Sequence, residues 1–234
     1  MTMFTALNPL LTKNTSNMRI FLDTADIDEI RKADETGLID GITTNPTLIR
    51  KAGKDPMDVY RDIANTGLGD ISMEVTGTYE QMLNQAAVLC ETFGDQATIK
   101  LPMTEDGLKA CKVLSPRVKT NITLVFNTAQ AVLAAKAGAH YVSPFVGRID
   151  DQGYAGLEVV RGIANLYCSA GVGTQVLAAS IRTPHRAVRS FFNGASVVTM
   201  PPSVFWSMYK HVLTDVGLDI FDKDVQGVPT FVNA

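Results

Sequence analysis

Short apolar segments alternate with longer amphipathic segments along the chain from Met18 onward. The short segments are mostly continuous apolar runs, which is typical of parallel strands covered on their outer face by helices. Eight strands are predicted in this way: Arg19–Leu22, Gly41–Thr44, Ile71–Val75, Thr98–Leu101, Thr120–Val125, Tyr141–Val146, Gln175–Ala178 and Ser196–Met200. The intervening segments carry helical periodicity, as in Asp26–Asp34, Tyr79–Phe93, Ala129–Ala137, Leu157–Ala170 and Thr183–Asn193.

Eight β–α units without an internal linker, in a chain of 234 residues, predict an α/β fold with a single (β/α)8 TIM barrel. A doubly wound open sheet is the alternative arrangement. We expect residues 1–17, which are polar and lack strand-like pattern, to be an N-terminal appendage, and residues 18–217 to form the barrel, with its last helix over 204–217. Residues 218–234 are expected to form an extra C-terminal helical segment.

The C-terminal segment carries Phe221, Val225 and Phe231, which is more apolar surface than a free tail needs. Exposed apolar surface of this kind is typical of a contact with another chain. We therefore expect this segment to contact a neighbouring subunit.

Lys100 stands inside the apolar run Ala97–Pro102, where a strand is predicted and a cation is unexpected. Burying an ammonium group is costly, so this lysine must find a partner or lose its proton. A neutral lysine is a nucleophile toward carbonyl groups, which indicates Schiff-base chemistry. A lysine at a strand end that extends to solvent is the alternative interpretation.

Catalytic groups of (β/α)8 barrels lie where the strands end. Seven consecutive predicted strands carry polar groups there: Asp23; Thr43, Thr44 and Asn45; Glu74; Lys100; Asn121 and Thr123; Ser143 and Arg148; Ser180 and Arg182. Glu74 is predicted to shuttle protons during Schiff-base formation, and Asp23 to act as the base at the cleaved C–C bond. Arg148 and Arg182 with the Ser180 hydroxyl are predicted to hold a phosphate group.

Six segments resemble the transaldolase family and occur in its order: Phe21–Ala25, Gly41–Pro46, Ile99–Pro102, Asn121–Phe126, Ser143–Ile149 and Ala179–Arg182. The short length and the ending Phe221–Gly227 resemble the small-subunit branch, which also contains fructose-6-phosphate aldolases. The resemblance implies transfer of a dihydroxyacetone unit from a ketose phosphate, such as sedoheptulose 7-phosphate or fructose 6-phosphate, to an aldose phosphate. It places this reaction in the non-oxidative pentose phosphate pathway.

The same resemblance implies roles for individual residues. Lys100 matches the Schiff-base lysine, Glu74 the carboxylate that acts through a water, and Asp23 the acid/base at the cleaved bond. The positions contacting the dihydroxyacetone portion or the water match Thr43, Asn45, Asn121, Thr123 and Ser143. The phosphate site matches Arg148, Ser180 and Arg182. No metal and no organic cofactor is implied, and a homo-oligomer, a pentamer or a decamer, is typical of the branch.

Two positions bear on whether the chain is a transferase or an aldolase. The aldolases of this branch carry glutamine and tyrosine at the positions of Glu74 and Phe145, so this chain has the transaldolase pair. A tyrosine hydroxyl near the enamine could hold a water that protonates it, whereas Phe145 cannot. The alternative functions are a fructose-6-phosphate aldolase that releases free dihydroxyacetone and, more remotely, a barrel that binds sugar phosphates without turnover.

Composition excludes other classes. The net charge of −3 without a basic stripe argues against nucleic acid as a partner, and no apolar stretch is long enough to span a membrane. Cys90, Cys111 and Cys168 are scattered without CxxC spacing, which indicates free thiols and a cytoplasmic protein. The three histidines show no metal-site spacing.

Overall fold

The computed structural model describes residues 18–226 and contains a closed barrel of eight parallel strands. The strands are β1 (Arg19–Asp23), β2 (Gly41–Thr43), β3 (Ile71–Glu74), β4 (Ala97–Pro102), β5 (Lys119–Val125), β6 (Tyr141–Pro144), β7 (Gln175–Ala178) and β8 (Val197–Met200). Each strand pairs with its neighbours in chain order, and β8 pairs with β1 to close the barrel. The predicted (β/α)8 barrel is confirmed, and the open-sheet alternative is wrong.

Helices surround the barrel: α1 (Ile27–Asp34), α2 (Pro46–Ala52), α3 (Pro56–Ala64), α4 (Tyr79–Phe93), α5 (Glu105–Leu114), α6 (Thr128–Lys136), α7 (Val146–Asp151), α8 (Gly156–Ser169), α9 (Pro184–Phe192), α10 (Pro202–Ser207) and α11 (Val212–Asp224). Several of them begin with a side-chain cap. The Asp26 carboxylate accepts hydrogen bonds from the first backbone amides of α1. Thr78 forms a capping box at the start of α4. Among residues 18–226, every helix is too short or too polar to cross a membrane.

The segment after β8 differs from the predicted helix over 204–217. The chain forms two helices there, and α11 runs across the expected division after Gly217. The reason is a local cap: the His211 side chain accepts a hydrogen bond from the Leu213 amide at 3.2 Å and starts a new helix. The appendage over 1–17 and the end of the C-terminal segment, including Phe231, lie outside the described residues.

The amino-terminal end of the barrel is closed by a buried polar network. The Tyr141 hydroxyl donates to Asp70 Oδ2 at 2.7 Å and accepts a hydrogen bond from the Arg19 guanidinium at 2.8 Å. The Thr98 hydroxyl donates to the other oxygen of Asp70 at 2.7 Å. Burial is the main cause that raises the pKa of Tyr141, with the Asp70 charge adding to it. These side chains tie β1, β4 and β6 together at the end opposite the predicted site.

Candidate active site

Strand register brings three predicted residues into one row. Glu74 on β3 is paired with Lys100 on β4, and Lys100 is paired with Asn121 on β5. Paired residues of neighbouring parallel strands point to the same face of the sheet. All three side chains line one cavity of about 250 Å³ inside the carboxyl end of the barrel.

Lys100 is only 5% exposed, so the interpretation that it extends to solvent is wrong. Its Nζ lies 2.8 Å from Glu74 Oε2 and donates a hydrogen bond to the carbonyl oxygen of Thr44 at 2.7 Å. A buried ion pair requires such additional hydrogen bonds to offset the loss of hydration. The lysine therefore has the partner that its burial demands. Glu74 is the group within reach to take its proton.

Asp23 ends β1 on the other side of the same cavity. Its Oδ1 accepts a hydrogen bond from the Thr43 hydroxyl at 2.9 Å. Burial raises the pKa of the Asp23 carboxyl above its usual value, and the nearby Lys100 ammonium opposes this shift. A raised pKa makes the carboxylate a stronger base, which favours a role in taking up and returning a proton.

Neutral polar groups line the cavity on the side of β5 and β6. The Ser143 hydroxyl donates to Asn121 Oδ1 at 2.7 Å, and the Asn121 amide donates to the Ser72 hydroxyl at 3.3 Å. The Thr123 hydroxyl is buried and has no hydrogen-bond partner among residues 18–226. An unpaired buried hydroxyl costs about 1–3 kcal/mol, so a ligand hydroxyl that pairs with Thr123 would gain from this contact.

The segment after Thr123 bends out of regular strand geometry. The register between β5 and β6 shifts between Ile122 and Val125, and Leu124 has a φ of 61°. A bulge of this kind re-aims side chains next to a site.

Asn45 serves both the fold and the cavity. Its Oδ1 accepts a hydrogen bond from the Leu48 amide at 3.1 Å and so caps α2, and the residue also lines the cavity.

The predicted phosphate side is built on a close approach between the first turn of α7 and the segment after β7. The Gly147 amide donates to the Ser180 carbonyl at 3.0 Å. A Cβ at position 147 would lie 2.3 Å from that carbonyl oxygen and 2.8 Å from Arg182 Nε, so only glycine fits. The Arg148 guanidinium lies 4.9 Å from the centre of the Phe145 ring, within the range of a cation–π contact. Phe145, Arg148 and Ser180 all line the Lys100 cavity.

Arg182 differs from the other predicted residues. Both of its terminal nitrogens bind the Asp151 carboxylate, and its side chain is half exposed. It lines a neighbouring cavity that also contains Arg148, rather than the Lys100 cavity. Eleven of the twelve predicted residues line the Lys100 cavity: Asp23, Thr43, Asn45, Glu74, Lys100, Asn121, Thr123, Ser143, Phe145, Arg148 and Ser180.

The sequence analysis gave no role to several residues of the site. Thr44 contributes through its backbone, and Ser72 supports Asn121 from β3. Thr199 lines the cavity from β8, with its hydroxyl 2.6 Å from that of Thr43. One signal was available, because Thr199 is the single polar residue of β8. Within residues 18–226, no three His, Cys, Asp or Glu residues are grouped as a metal site would require.

Comparison with known proteins agrees with this geometry. A family model described as transaldolase/fructose-6-phosphate aldolase matches residues 20–228. Proteins called probable transaldolase in Brucella anthropi and Sinorhizobium medicae are each 48% identical to this chain over 209 residues, covering 88% of this chain and 96% of theirs.

A solved structure of thiamine phosphate pyrophosphorylase from Pyrococcus furiosus also matches, with a TM-score of 0.54 and 17% identity. The match covers 79% of this chain and 86% of that one. At this identity the likeness supports the barrel fold alone. Together with the family match and the close relatives, the geometry leads to one conclusion: the chain belongs to the transaldolase/fructose-6-phosphate aldolase family.

Proposed function

We propose that this protein is a transaldolase that converts sedoheptulose 7-phosphate and glyceraldehyde 3-phosphate into erythrose 4-phosphate and fructose 6-phosphate. The reaction proceeds through a Schiff base on Lys100. The observation that carries the proposal is the buried Lys100–Glu74 pair, with Nζ and Oε2 2.8 Å apart, in a cavity that Asp23 also lines. A nucleophile, a proton acceptor in contact with it and a second carboxyl group are the parts that Schiff-base cleavage needs.

Schiff-base formation begins with proton transfer from the Lys100 ammonium to Glu74, directly or through one water. The neutral amine then adds to the C2 carbonyl carbon of the ketose phosphate, and one N–H proton passes to the resulting alkoxide, which gives the carbinolamine. Glu74 returns a proton to the carbinolamine oxygen, which leaves as water. The product is an iminium ion on Lys100. Its positive charge draws electrons from the adjacent carbon–carbon bond.

Asp23 then takes the proton of the C4 hydroxyl group. The C3–C4 bond breaks, its electron pair moves to the iminium to form an enamine, and an aldose phosphate leaves. The enamine carbon next attacks the carbonyl carbon of the acceptor aldehyde, and Asp23 gives its proton to the new alkoxide. Hydrolysis of the second iminium frees Lys100. The raised pKa of Asp23 supports this double role.

Substrate binding follows from the polar walls of the cavity. We propose that Thr43, Asn45, Asn121, Thr123 and Ser143 contact the dihydroxyacetone portion or the water. Arg148, Ser180 and Arg182 would hold the phosphate group, because arginine provides several donors in a planar fork. Phosphate binding at Arg182 must compete with, or share, its pairing to Asp151.

Removal of the Asp151 charge should strengthen phosphate binding. We expect Asp151→Asn to lower the KM for phosphorylated acceptors roughly two- to five-fold, because an exposed ion pair of modest strength no longer occupies Arg182. The KM for unphosphorylated glyceraldehyde should not change. Asp58→Asn, which breaks a similar exposed pair with Arg61, is the matched control. A higher KM for phosphorylated acceptors in Asp151→Asn would contradict this competition.

Glu74 and Phe145 support transfer of dihydroxyacetone rather than its release. The resemblance gives this pair of residues to transaldolases, and glutamine and tyrosine to the aldolases. Phe145 lines the Lys100 cavity and packs edge-on against Phe126 at 5.9 Å between ring centres. A tyrosine hydroxyl placed there could hold a water that protonates the enamine. The Phe145 ring has no polar atom that could bind a water at this position.

The substitution Phe145→Tyr should therefore raise the release of free dihydroxyacetone. We expect an increase of about ten-fold, the change that roughly 1.4 kcal/mol of barrier produces. Release is measured from fructose 6-phosphate without an acceptor. Phe126→Tyr serves as the control, because it adds the same hydroxyl to the neighbouring ring. An unchanged release rate in Phe145→Tyr would count against the role given to this position.

The proposal is tested by a paired assay on fructose 6-phosphate, with and without erythrose 4-phosphate. Sedoheptulose 7-phosphate that forms only with the acceptor supports the transaldolase. Free dihydroxyacetone formed equally without the acceptor identifies a fructose-6-phosphate aldolase instead. No product in either assay, and no ketose trapped on Lys100 by borohydride, would favour a barrel that binds sugar phosphates without turnover.

We also propose that the enzyme acts in the cytoplasm, in the pentose phosphate pathway, as a homo-oligomer. Exposed apolar residues on α11 and at its C-terminal cap, Val225, support a contact with a neighbouring subunit; those on the helix are Val212, Leu213, Val216, Leu218, Ile220 and Phe221. The reaction described above uses protein side chains and water alone.

A further inference from the structure

Thr199 lines the same cavity as Lys100 and Glu74, and within residues 18–226 its hydroxyl pairs with Thr43 rather than with either of them. It is on β8 and is only 3% exposed. Its Oγ1 lies 2.6 Å from the Oγ1 of Thr43, and Thr43 Oγ1 lies 2.9 Å from Asp23 Oδ1. The three side chains form a hydrogen-bonded chain from β8 through β2 to β1, the three strands at the seam where the barrel closes.

The direction of this chain follows from the number of hydrogens. An ionised carboxylate can only accept, and a threonine hydroxyl has one hydrogen to give. Thr43 gives its hydrogen to Asp23, so it must accept in its contact with Thr199. Thr199 is therefore the donor, and the contact has a fixed direction while Asp23 is ionised.

We infer that Thr199 is a positioning residue for Asp23. It holds the Thr43 hydroxyl as a donor to Oδ1 of Asp23, and this leaves Oδ2 to exchange the proton with the substrate. Hydrogen bonds in a chain polarise one another, so the donor at Thr199 strengthens the bond from Thr43 to Asp23. The inference rests on the proposed role of Asp23 as the acid/base of C–C cleavage.

The surroundings of Asp23 fix the sign of the expected effect. Burial and the Glu74 charge favour its protonated form, whereas the Lys100 and Arg148 charges and the Thr43 hydrogen bond favour the ionised form. Loss of Thr199 weakens the Thr43 bond, so the pKa of Asp23 should rise further. Because cleavage needs the ionised form, activity should then be lost at a higher pH as the solution is acidified.

The test is Thr199→Val, which keeps the shape and removes the hydroxyl. We expect kcat for transfer to fall about 2- to 10-fold, the effect of one hydrogen bond, and the acidic limb of the kcat–pH profile to move to higher pH. Thr199→Ser should restore both. Thr120→Val is the matched control, because Thr120 is a fully buried threonine on β5 whose hydroxyl faces Cys111 and the His140 amide.

Borohydride trapping separates this inference from the proposed function. The role of Thr199 is supported if two results are found together. Dihydroxyacetone is trapped on Lys100 in both the unsubstituted protein and Thr199→Val, and the acidic limb of the kcat–pH profile is shifted only in Thr199→Val. Trapping in both with an unshifted limb overturns it, even if kcat falls, and leaves the proposed function standing. Absence of trapping in the unsubstituted protein overturns the proposed function itself. Melting temperatures of all variants identify any that lose activity through unfolding.

Discussion

Lys100→Arg should abolish transfer, with kcat at least about 10⁴-fold lower, as expected when a covalent nucleophile is removed. Arginine stays protonated and cannot add to a carbonyl, yet it keeps a cation beside Glu74. Removal of the cation would instead leave the Glu74 carboxylate buried without its partner, which is strongly destabilising. The arginine variant therefore separates loss of the nucleophile from loss of the fold.

Rates of sedoheptulose 7-phosphate formation and borohydride trapping measure the effect. Lys119→Arg is the matched control. Lys119 begins β5, at the end of the barrel away from the Lys100 cavity, and its Nζ donates a hydrogen bond to the Gly69 carbonyl at 3.0 Å. This variant should keep full activity. A ketose adduct that persists in Lys100→Arg would show that another residue is the nucleophile.

Asp23→Asn should lower kcat about 10²- to 10⁴-fold, the range for removal of a general acid–base group. Asparagine has nearly the same size, and its side-chain oxygen can still accept the hydrogen bond from Thr43. Schiff-base formation on Lys100 does not use Asp23, so borohydride should still trap the uncleaved ketose, fructose 6-phosphate, on Lys100 in this variant. Loss of trapping together with loss of cleavage would contradict the separate roles of Asp23 and Glu74.

The same variant should be more stable than the unsubstituted protein at neutral pH. Because burial raises the pKa of Asp23 in the folded state, ionisation of this group opposes folding as the pH rises through that pKa. Below the usual pKa of an aspartate the group is protonated in both states, and the penalty disappears. The melting temperature of Asp23→Asn should therefore exceed that of the unsubstituted protein at pH 7, and the difference should shrink in acid. Each kcal/mol corresponds to about 2–4 °C in a chain of this size.

The sequence predicted the barrel and most of the polar residues that line the Lys100 cavity because both depend on local pattern. Apolar runs mark the strands, and polar residues at their ends reveal Asp23, Glu74 and Lys100. Since paired parallel strands align their side chains, Glu74 and Lys100 could be predicted to meet. Contacts that depend on long-range register or on the backbone could not. The Thr44 carbonyl has no side-chain signal, and Thr199 becomes part of the site only when β8 closes on β1.

Arg182 illustrates a second limit. Its place after β7 is correct, but the orientation of a long flexible side chain depends on competing partners. Asp151, the last residue of α7, forms an ion pair with Arg182 and so sets the orientation of the arginine side chain. The division into α10 and α11 also has a local cause, because the extended His211 cap begins a new helix inside the segment predicted as one helix over 204–217.

The polar network around Asp70 and Tyr141 has a consequence for how this enzyme can change over generations. Its hydrogen bonds hold β1, β4 and β6 at one end of the barrel, while the Lys100 cavity lies at the other. Mutations in the loops around that cavity can alter substrate preference while the anchored end continues to hold the strands in register. Substrate preference can thus change during evolution while separate selection preserves the hydrogen-bonded end of the barrel.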